Sequence, residues 1–347
     1  MSQNVSRRAM LGGVAGASLL SVAGATALAT GAQAATAPAV PISTPRIADI
    51  DKVEVVNQGT AVPRLWWFEL KTAHINFNPR VNILFPEGYN PNGGKRYPVL
   101  YMLHGGQGPQ FPGIPSGGQD FRFWHQGGHM VPATAGRDII VVMPDGGNTG
   151  WYSNPVDPWI NKPRNWEFFH MNSLIPWVDA TFRTIPEFSA RAVGGFSMGG
   201  FGALKYAAKY YGHFSSVTSF SGPASLRREF GAVLQWAQIS AAADIGNPAG
   251  LYGLPAREDL VTADNAVENL ERYRGKRLVF FSGTDANDVQ EGFVHRGHQE
   301  FSAALNQRGI QHWFHSFPGG HGGNIFSGPS AVVAEVGSIV SSLRRAG

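Results

Sequence analysis

Residues 193–204 read Val193-Gly194-Gly195-Phe196-Ser197-Met198-Gly199-Gly200-Phe201-Gly202-Ala203-Leu204. Gly195, Ser197 and Gly199 have the spacing of a nucleophile elbow, in which a strand turns sharply into a helix and holds the serine Oγ exposed at the tip. Such a turn needs small neighbours, because Cβ atoms at 195 and 199 would crowd the backbone where strand and helix meet. A serine alcohol is a weak nucleophile; it needs a base within hydrogen-bond reach and a third group to orient that base. Around this elbow the partners follow in the chain order serine, acid, histidine. His321 fits the base: it lies in the glycine-rich stretch Phe317-Pro318-Gly319-Gly320-His321-Gly322-Gly323-Asn324, after the last strand-like run, and its flanking glycines give the imidazole room to reach the serine. Asp285, Asp288 and Glu291 all follow the apolar run 278–282, and spacing alone does not choose the acid among them. His104-Gly105-Gly106-Gln107-Gly108 has the form of the loops whose backbone N–H groups help bind an oxyanion, and the N–H of Met198 would be the other donor.

These loops require a scaffold that delivers them to one edge. Residues 53–56, 65–70 and 81–85 read as an initial antiparallel strand set. Runs 98–103 and 139–143 are short, continuously apolar and followed by polar, glycine-rich loops, as parallel strands buried on both faces should be. Residues 168–182 form a helical candidate in which Pro176 marks a kink or break. Strands over 214–220, 278–282 and 312–317 then alternate with helices over 291–308 and 330–344. The pattern predicts an α/β-hydrolase fold with a mostly parallel, doubly wound sheet and helices on both faces. In such sheets ligands bind beyond the carboxyl ends of the strands, where all four loops fall. Residues 223–261, rich in Gly and Pro with a weak helical pattern, read as a cap segment. Phe111, Phe121, Trp124, Trp151 and Tyr152 stand near the expected mouth and read equally as pocket lining or as core.

The chain has 347 residues, 43% of them hydrophobic and 15% charged, as expected of a globular protein with a large core. Its formal net charge of +4 comes without a Lys/Arg run, so no nucleic-acid partner is expected. Ser6-Arg7-Arg8 precedes an apolar stretch rich in small residues, and Ala32-Gln33-Ala34 supplies a small-x-small cleavage site. Residues 1–34 therefore read as a Tat-type signal peptide, 35–52 as a flexible leader, and 53–347 as a single catalytic domain. On that reading the mature protein is secreted, extracellular or associated with the cell envelope, and has no transmembrane segment. With no cysteine, its stability must come from the core. No cofactor or metal is expected: His295 and His298 lie three apart on a predicted helix, with no third ligand spaced to complete a site.

From about residue 53 to 345 the chain resembles the esterase D superfamily, specifically its antigen 85 mycolyltransferase branch of exported actinobacterial proteins. The likeness rests on the strand and loop over 100–106, on Val142-Met143-Pro144 through Trp151-Tyr152-Ser153, on Trp166-Glu167 with Leu174-Ile175-Pro176-Trp177, and on the Phe196-Ser197-Met198 elbow. In that branch the triad acid is a glutamate followed by Gly, by Arg five residues on, Gln eight on and Phe ten on. Glu291-Gly292, Arg296, Gln299 and Phe301 match, so the resemblance places the acid at Glu291, with Asp288 as the alternative, and the oxyanion-hole backbones at Gly106 and Met198. The side chains that line the family's trehalose site are missing: an Asp and an Arg are replaced in the loop holding His104 and Gln107, and a Trp two residues after the histidine is Gly323. The resemblance thus implies a serine esterase acting on a small-molecule or lipid ester. The alternatives are an acyltransferase on cell-envelope lipids or sugars and, further off, a non-catalytic carbohydrate- or matrix-binding relative.

Overall fold

A computed structural model of the chain describes residues 53–106, 120–159 and 163–344. The expected signal peptide and leader, and Phe111 with Gln107, lie outside the described residues. Among the described residues nine strands form one sheet: β1 (Glu54–Val62), β2 (Leu65–Lys71), β3 (Arg80–Leu84), β4 (Val99–Leu103), β5 (Ile140–Pro144), β6 (Arg191–Phe196), β7 (Ser216–Phe220), β8 (Arg277–Gly283) and β9 (Trp313–Phe317). Their order is β1-β2-β3-β5-β4-β6-β7-β8-β9. The first three strands pair antiparallel and β3 joins β5 antiparallel, while every pair from β5 through β9 is parallel. The expected doubly wound α/β sheet is what the chain forms.

The apolar runs make central strands because both faces are covered. In β4, Val99, Tyr101 and Leu103 enter one core layer while Leu100 and Met102 enter the other, following the two-residue period of a strand. The helices used below are α1 (Ile175–Thr181), α2 (Met198–Lys209), α3 (Arg228–Ile245), α4 (Glu258–Asp264), α5 (Val289–Gln307) and α6 (Ser330–Ser342). Phe201 and Leu204 of α2 and Phe301 and Leu305 of α5 pack into the first layer, whereas Val332, Val336 and Ile339 of α6 pack into the second.

Pro176 does not break its helix. A π-helical stretch, Phe169–Leu174, runs directly into α1, so Pro176 sits in the first turn after a register change instead of in an interior turn that needs its N–H. The winding sense reverses between β4 and β6: the chain passes from β4 to β5 on one side and returns to β6 on the other. The loop after β4 and the elbow after β6 therefore flank the switch point, the place where this architecture opens a crevice.

Candidate active site

Ser197 stands between β6 and α2 with φ 52° and ψ −118°, a backbone conformation L-residues rarely adopt. Close packing holds it there. A Cβ on Gly195 would meet the Gly199 carbonyl, and one on Gly199 would meet the carbonyls of Leu103 and His104. The Ser197 N–H continues the sheet by donating to Phe220 O at 2.8 Å. The residue is 5% exposed.

His321, in the loop after β9, brings Nε2 to 2.8 Å from Ser197 Oγ and Nδ1 to 2.7 Å from Glu291 Oε2. A carboxylate only accepts, so Nδ1 carries the proton and Nε2 is the acceptor for the serine O–H. Glu291 is fully buried. Its other oxygen accepts from the Ser221 hydroxyl at 2.8 Å and from the Gly283 N–H, so each oxygen of the buried carboxylate is satisfied. Three side chains, from the elbow after β6, the loop after β9 and the first turn of α5 that follows β8, thus form one continuous hydrogen-bonded line.

The other two acidic candidates do different work. Asp285 is exposed and accepts from the Asn287 N–H at 2.9 Å. Asp288 caps α5, accepting from the Glu291 N–H at 2.9 Å, and with its second oxygen accepts from the His321 N–H at 2.8 Å. Asp288-Val289-Gln290-Glu291 has the form of a capping box, but the glutamate turns inward to the histidine instead of back to its own helix. The helix N-terminus also favours negative charge there.

Beside the serine, a Cβ placed on Gly106 would lie 3.8 Å from Met198 Sδ, so the two predicted donors are neighbours. Met198 opens α2, where N–H groups have no acceptor within the helix and the helix dipole is positive. His104 is a strut instead of a reactive base. Its buried ring accepts the Gly146 N–H at Nε2, 2.8 Å, and donates from Nδ1 to Gly105 O, 2.7 Å, while Tyr152 OH donates to its carbonyl at 2.9 Å. This pins the loop after β4 to the loop after β5.

Of the aromatics near the expected mouth, Trp124, Trp151 and Tyr152 are core residues. Trp124 Nε1 donates to Leu103 O at 2.9 Å, and Trp151 Nε1 to Ser240 Oγ at 2.8 Å. Phe121 is half-buried, with the Arg122 guanidinium over its ring. A cavity of about 650 Å³ opens at His321, walled by Trp236, Val289 and Phe293 on its apolar side and by Asp285, Asn287 and Gln290 on its polar side. Gln290 Nε2 lies 3.2 Å from His321 Nε2. Trp236 comes from α3, within the segment expected to be a cap. His298, one of the two helix histidines, is buried with Nε2 2.7 Å from Gly222 O, and burial draws it down to about 4. His295 pairs instead with Ser282 Oγ at 2.9 Å.

Sequence reasoning missed Ser221, Gln290, Trp236 and the anchoring of α2. Lys205 is buried, with Nζ 2.8 Å from Glu167 and 2.9 Å from Asp264, and Lys209 pairs with the same two carboxylates. Burial acts to raise the Glu167 carboxyl, but the two ammonium charges outweigh it and hold it at about 2. The elbow helix is thereby bound to α4 and to the turn before the π-helical stretch. The i,i+4 spacing of Lys205 and Lys209 on a helix was the available signal, and it reads as a solvated face until their partners are known.

A family model described as "Putative esterase" matches residues 72–328. Esterase Rv1288 of Mycobacterium tuberculosis strain H37Rv is 46% identical over 302 residues, covering 85% of this chain and 62% of that protein. The chain thus spans less than two thirds of that relative's length. The crystal structure of MPT51 from Mycobacterium tuberculosis superposes with a TM-score of 0.62 at 20% identity, covering 80% of this chain and 97% of that one. An S-formylglutathione hydrolase from Agrobacterium tumefaciens superposes with a TM-score of 0.63 at 15% identity, covering 84% and 99%. At those identities the two structures speak to the fold. Sequence and fold agree, and the chain belongs to the esterase family.

Proposed function

We propose that the protein is a serine carboxylic ester hydrolase working through a Ser197–His321–Glu291 triad and a covalent acyl-enzyme. The observation that carries this reading is the unbroken line from Ser197 Oγ through both nitrogens of His321 to Glu291 Oε2, with contacts of 2.8 and 2.7 Å. His321 Nε2 takes the serine proton as Oγ bonds to the ester carbonyl carbon, and the carbonyl π electrons move onto oxygen. The Gly106 and Met198 N–H groups face that oxyanion, and one such donor contributes about 3 kcal/mol to the transition state. Glu291 fixes the tautomer and stabilises the imidazolium without taking its proton. The tetrahedral adduct then collapses: the carbon–oxygen bond to the alcohol breaks, and His321 gives its proton to the leaving alkoxide. A water molecule, deprotonated by His321, repeats the sequence on the acyl-enzyme and frees the acid and Ser197.

The family assignment and the esterase-named relative support the ester as substrate class. The twin-arginine leader supports export to the cell exterior, which processing at Ala34 would test. The decisive assay is hydrolysis of p-nitrophenyl esters of graded chain length by the purified protein and by Ser197→Ala, with a loss of at least about 10⁴-fold expected in the variant. Undiminished turnover in Ser197→Ala would sink the mechanism. Acylated products on adding glycerol or trehalose would instead make the second half-reaction a transfer to an alcohol.

A further inference from the structure

Two consecutive residues of α5 address the two nitrogens of one imidazole. Gln290 and Glu291 are the second and third residues of the helix, where successive side chains diverge by about 100° around the axis. Glu291 turns into the core and holds His321 Nδ1 at 2.7 Å, while Gln290, half-buried at the wall of the cavity, brings its amide Nε2 to 3.2 Å from His321 Nε2. Because Nδ1 donates to the carboxylate, Nε2 is an acceptor, and the amide meets it as an N–H donor.

The ring does not need that bond to be placed. Glu291 fixes one edge, Asp288 accepts from the His321 N–H at 2.8 Å, and the imidazole packs on Phe196 with ring centroids 5.0 Å apart. In the resting site the amide competes with the nucleophile, since a neutral imidazole nitrogen has one lone pair and the Ser197 hydroxyl claims it at 2.8 Å. The donor finds its use once that lone pair is protonated. Nε2 must then hand its proton to the leaving oxygen, which has to stand within hydrogen-bond reach of it. Gln290 Nε2 is already at that distance, and the cavity beside it gives the leaving group its room. Trp236, Val289 and Phe293 make one side of that cavity apolar, which strengthens a hydrogen bond to developing negative charge.

We infer that Gln290 is a further catalytic residue, whose side-chain N–H donates to the alcohol oxygen of the ester as the carbon–oxygen bond breaks. This rests on the esterase reading and deepens it. The proton itself passes from His321 Nε2 to that oxygen; the amide transfers none and steadies the charge that builds there before the transfer. The water of the second half-reaction enters by the same place, so microscopic reversibility sets it against the same amide. The help matters in proportion to how poor the leaving group is. p-Nitrophenolate is a stable anion and leaves unaided, whereas ethoxide is a strong base and depends on every donor that faces it.

The test compares kcat/KM of the full chain, Gln290→Met and Gln290→Glu on p-nitrophenyl, phenyl and ethyl acetate. All three esters form the same acetyl-enzyme, so the differences in kcat/KM report the leaving group. Methionine approaches glutamine in length without a donor, and a glutamate carboxylate of the same shape only accepts. The expected result, in both variants, is a fall within about threefold on p-nitrophenyl acetate and of about 10- to 100-fold on ethyl acetate, with phenyl acetate between. Equal falls on all three esters would make Gln290 a structural prop and overturn the inference while leaving the esterase reading intact. Undiminished hydrolysis of ethyl acetate by either variant would do the same. Native protein that hydrolyses none of the three esters overturns the esterase reading, and the role of Gln290 falls with it.

Discussion

Asp288 separates a residue that orients the site from one that takes part in it. One oxygen caps α5 through the Glu291 N–H and the other holds the His321 N–H, so a single carboxylate fixes the main chain of both acid and base. Asp288→Asn keeps a good N-cap, because an asparagine oxygen accepts from Glu291 as well as an aspartate does. The cost falls on the second bond, where an amide NH₂ now faces the His321 N–H and leaves that donor unpaired. An unsatisfied donor of this kind costs about 1–3 kcal/mol. The loop packs directly against the carboxylate, since a Cβ on Gly320 would lie 2.5 Å from Asp288 Oδ2, so the repulsion moves the segment that carries the imidazole. A displacement of about 1 Å costs on the order of 10² in rate. We expect kcat on p-nitrophenyl acetate to fall about 10- to 100-fold with KM little changed, and the urea midpoint to drop. Glu291→Gln, which removes the charge opposite the imidazolium, should fall about 10⁴-fold. Steady-state kinetics on the two variants side by side decides the matter. If Asp288→Asn loses as much as Glu291→Gln or more, the acid is misassigned; if it loses nothing, the bridge to His321 positions nothing.

Ser221→Ala removes the hydroxyl that donates to Glu291 Oε1 and accepts from the Gly322 N–H, so it should cost about 1–3 kcal/mol of stability and roughly tenfold in kcat; an unchanged pair of values would mean that the Gly283 N–H alone is anchor enough for that oxygen of Glu291. Stability should also fall in mild acid. Burial draws His170 and His298 down to about 4, so in the folded protein both stay neutral between pH 6.5 and 4 while the unfolded chain takes up protons. The unfolded state binds more protons in that window, which means stability is full above pH 6.5 and is lost as pH falls toward 4, by about 3 kcal/mol per histidine at the lower end. Urea melts across that window check this, and a flat midpoint would refute it. Glu167, held at about 2, contributes stability that is full above its ordinary value of 4.5 and is lost progressively as pH falls from there toward 2, so its loss begins where that of the histidines ends.

The parallel strands were legible because their signal is local: five-residue apolar runs bounded by glycine-rich loops have little else to become. The serine and histidine were legible because the elbow constrains the chain on both sides of Ser197, and because His321 alone follows the last strand. The acid was not legible from spacing, since Asp285, Asp288 and Glu291 all stand within one turn of the same helix start, and what distinguishes them is which side chain turns inward. Only the residue-by-residue resemblance placed Glu291. Ser221 left no trace for a similar reason: its relation to Glu291 is a contact across 70 residues, made possible because β7 and β8 are neighbours. Trp124, Trp151 and Tyr152 show the limit of composition, which supplies aromatics near a mouth without saying which face of the backbone they occupy.

The strain at the elbow also explains why the surroundings are built as they are. A non-glycine residue in such a backbone state costs on the order of 1–3 kcal/mol and persists only where packing over-determines it. At Ser197 the determinants come from several directions. The sheet supplies the bond to Phe220 O, the β4 carbonyls press against Gly199, and Lys205 and Lys209 bind α2 to Glu167 and Asp264. Ser221, the residue after β7, repeats the device with φ 48° and its N–H on Phe281 O, so the two serines stand at equivalent exits of adjacent strands. One serine presents its hydroxyl to the base and the other to the acid. The same backbone solution, used twice on neighbouring strands, sets both ends of the line from Ser197 to Glu291.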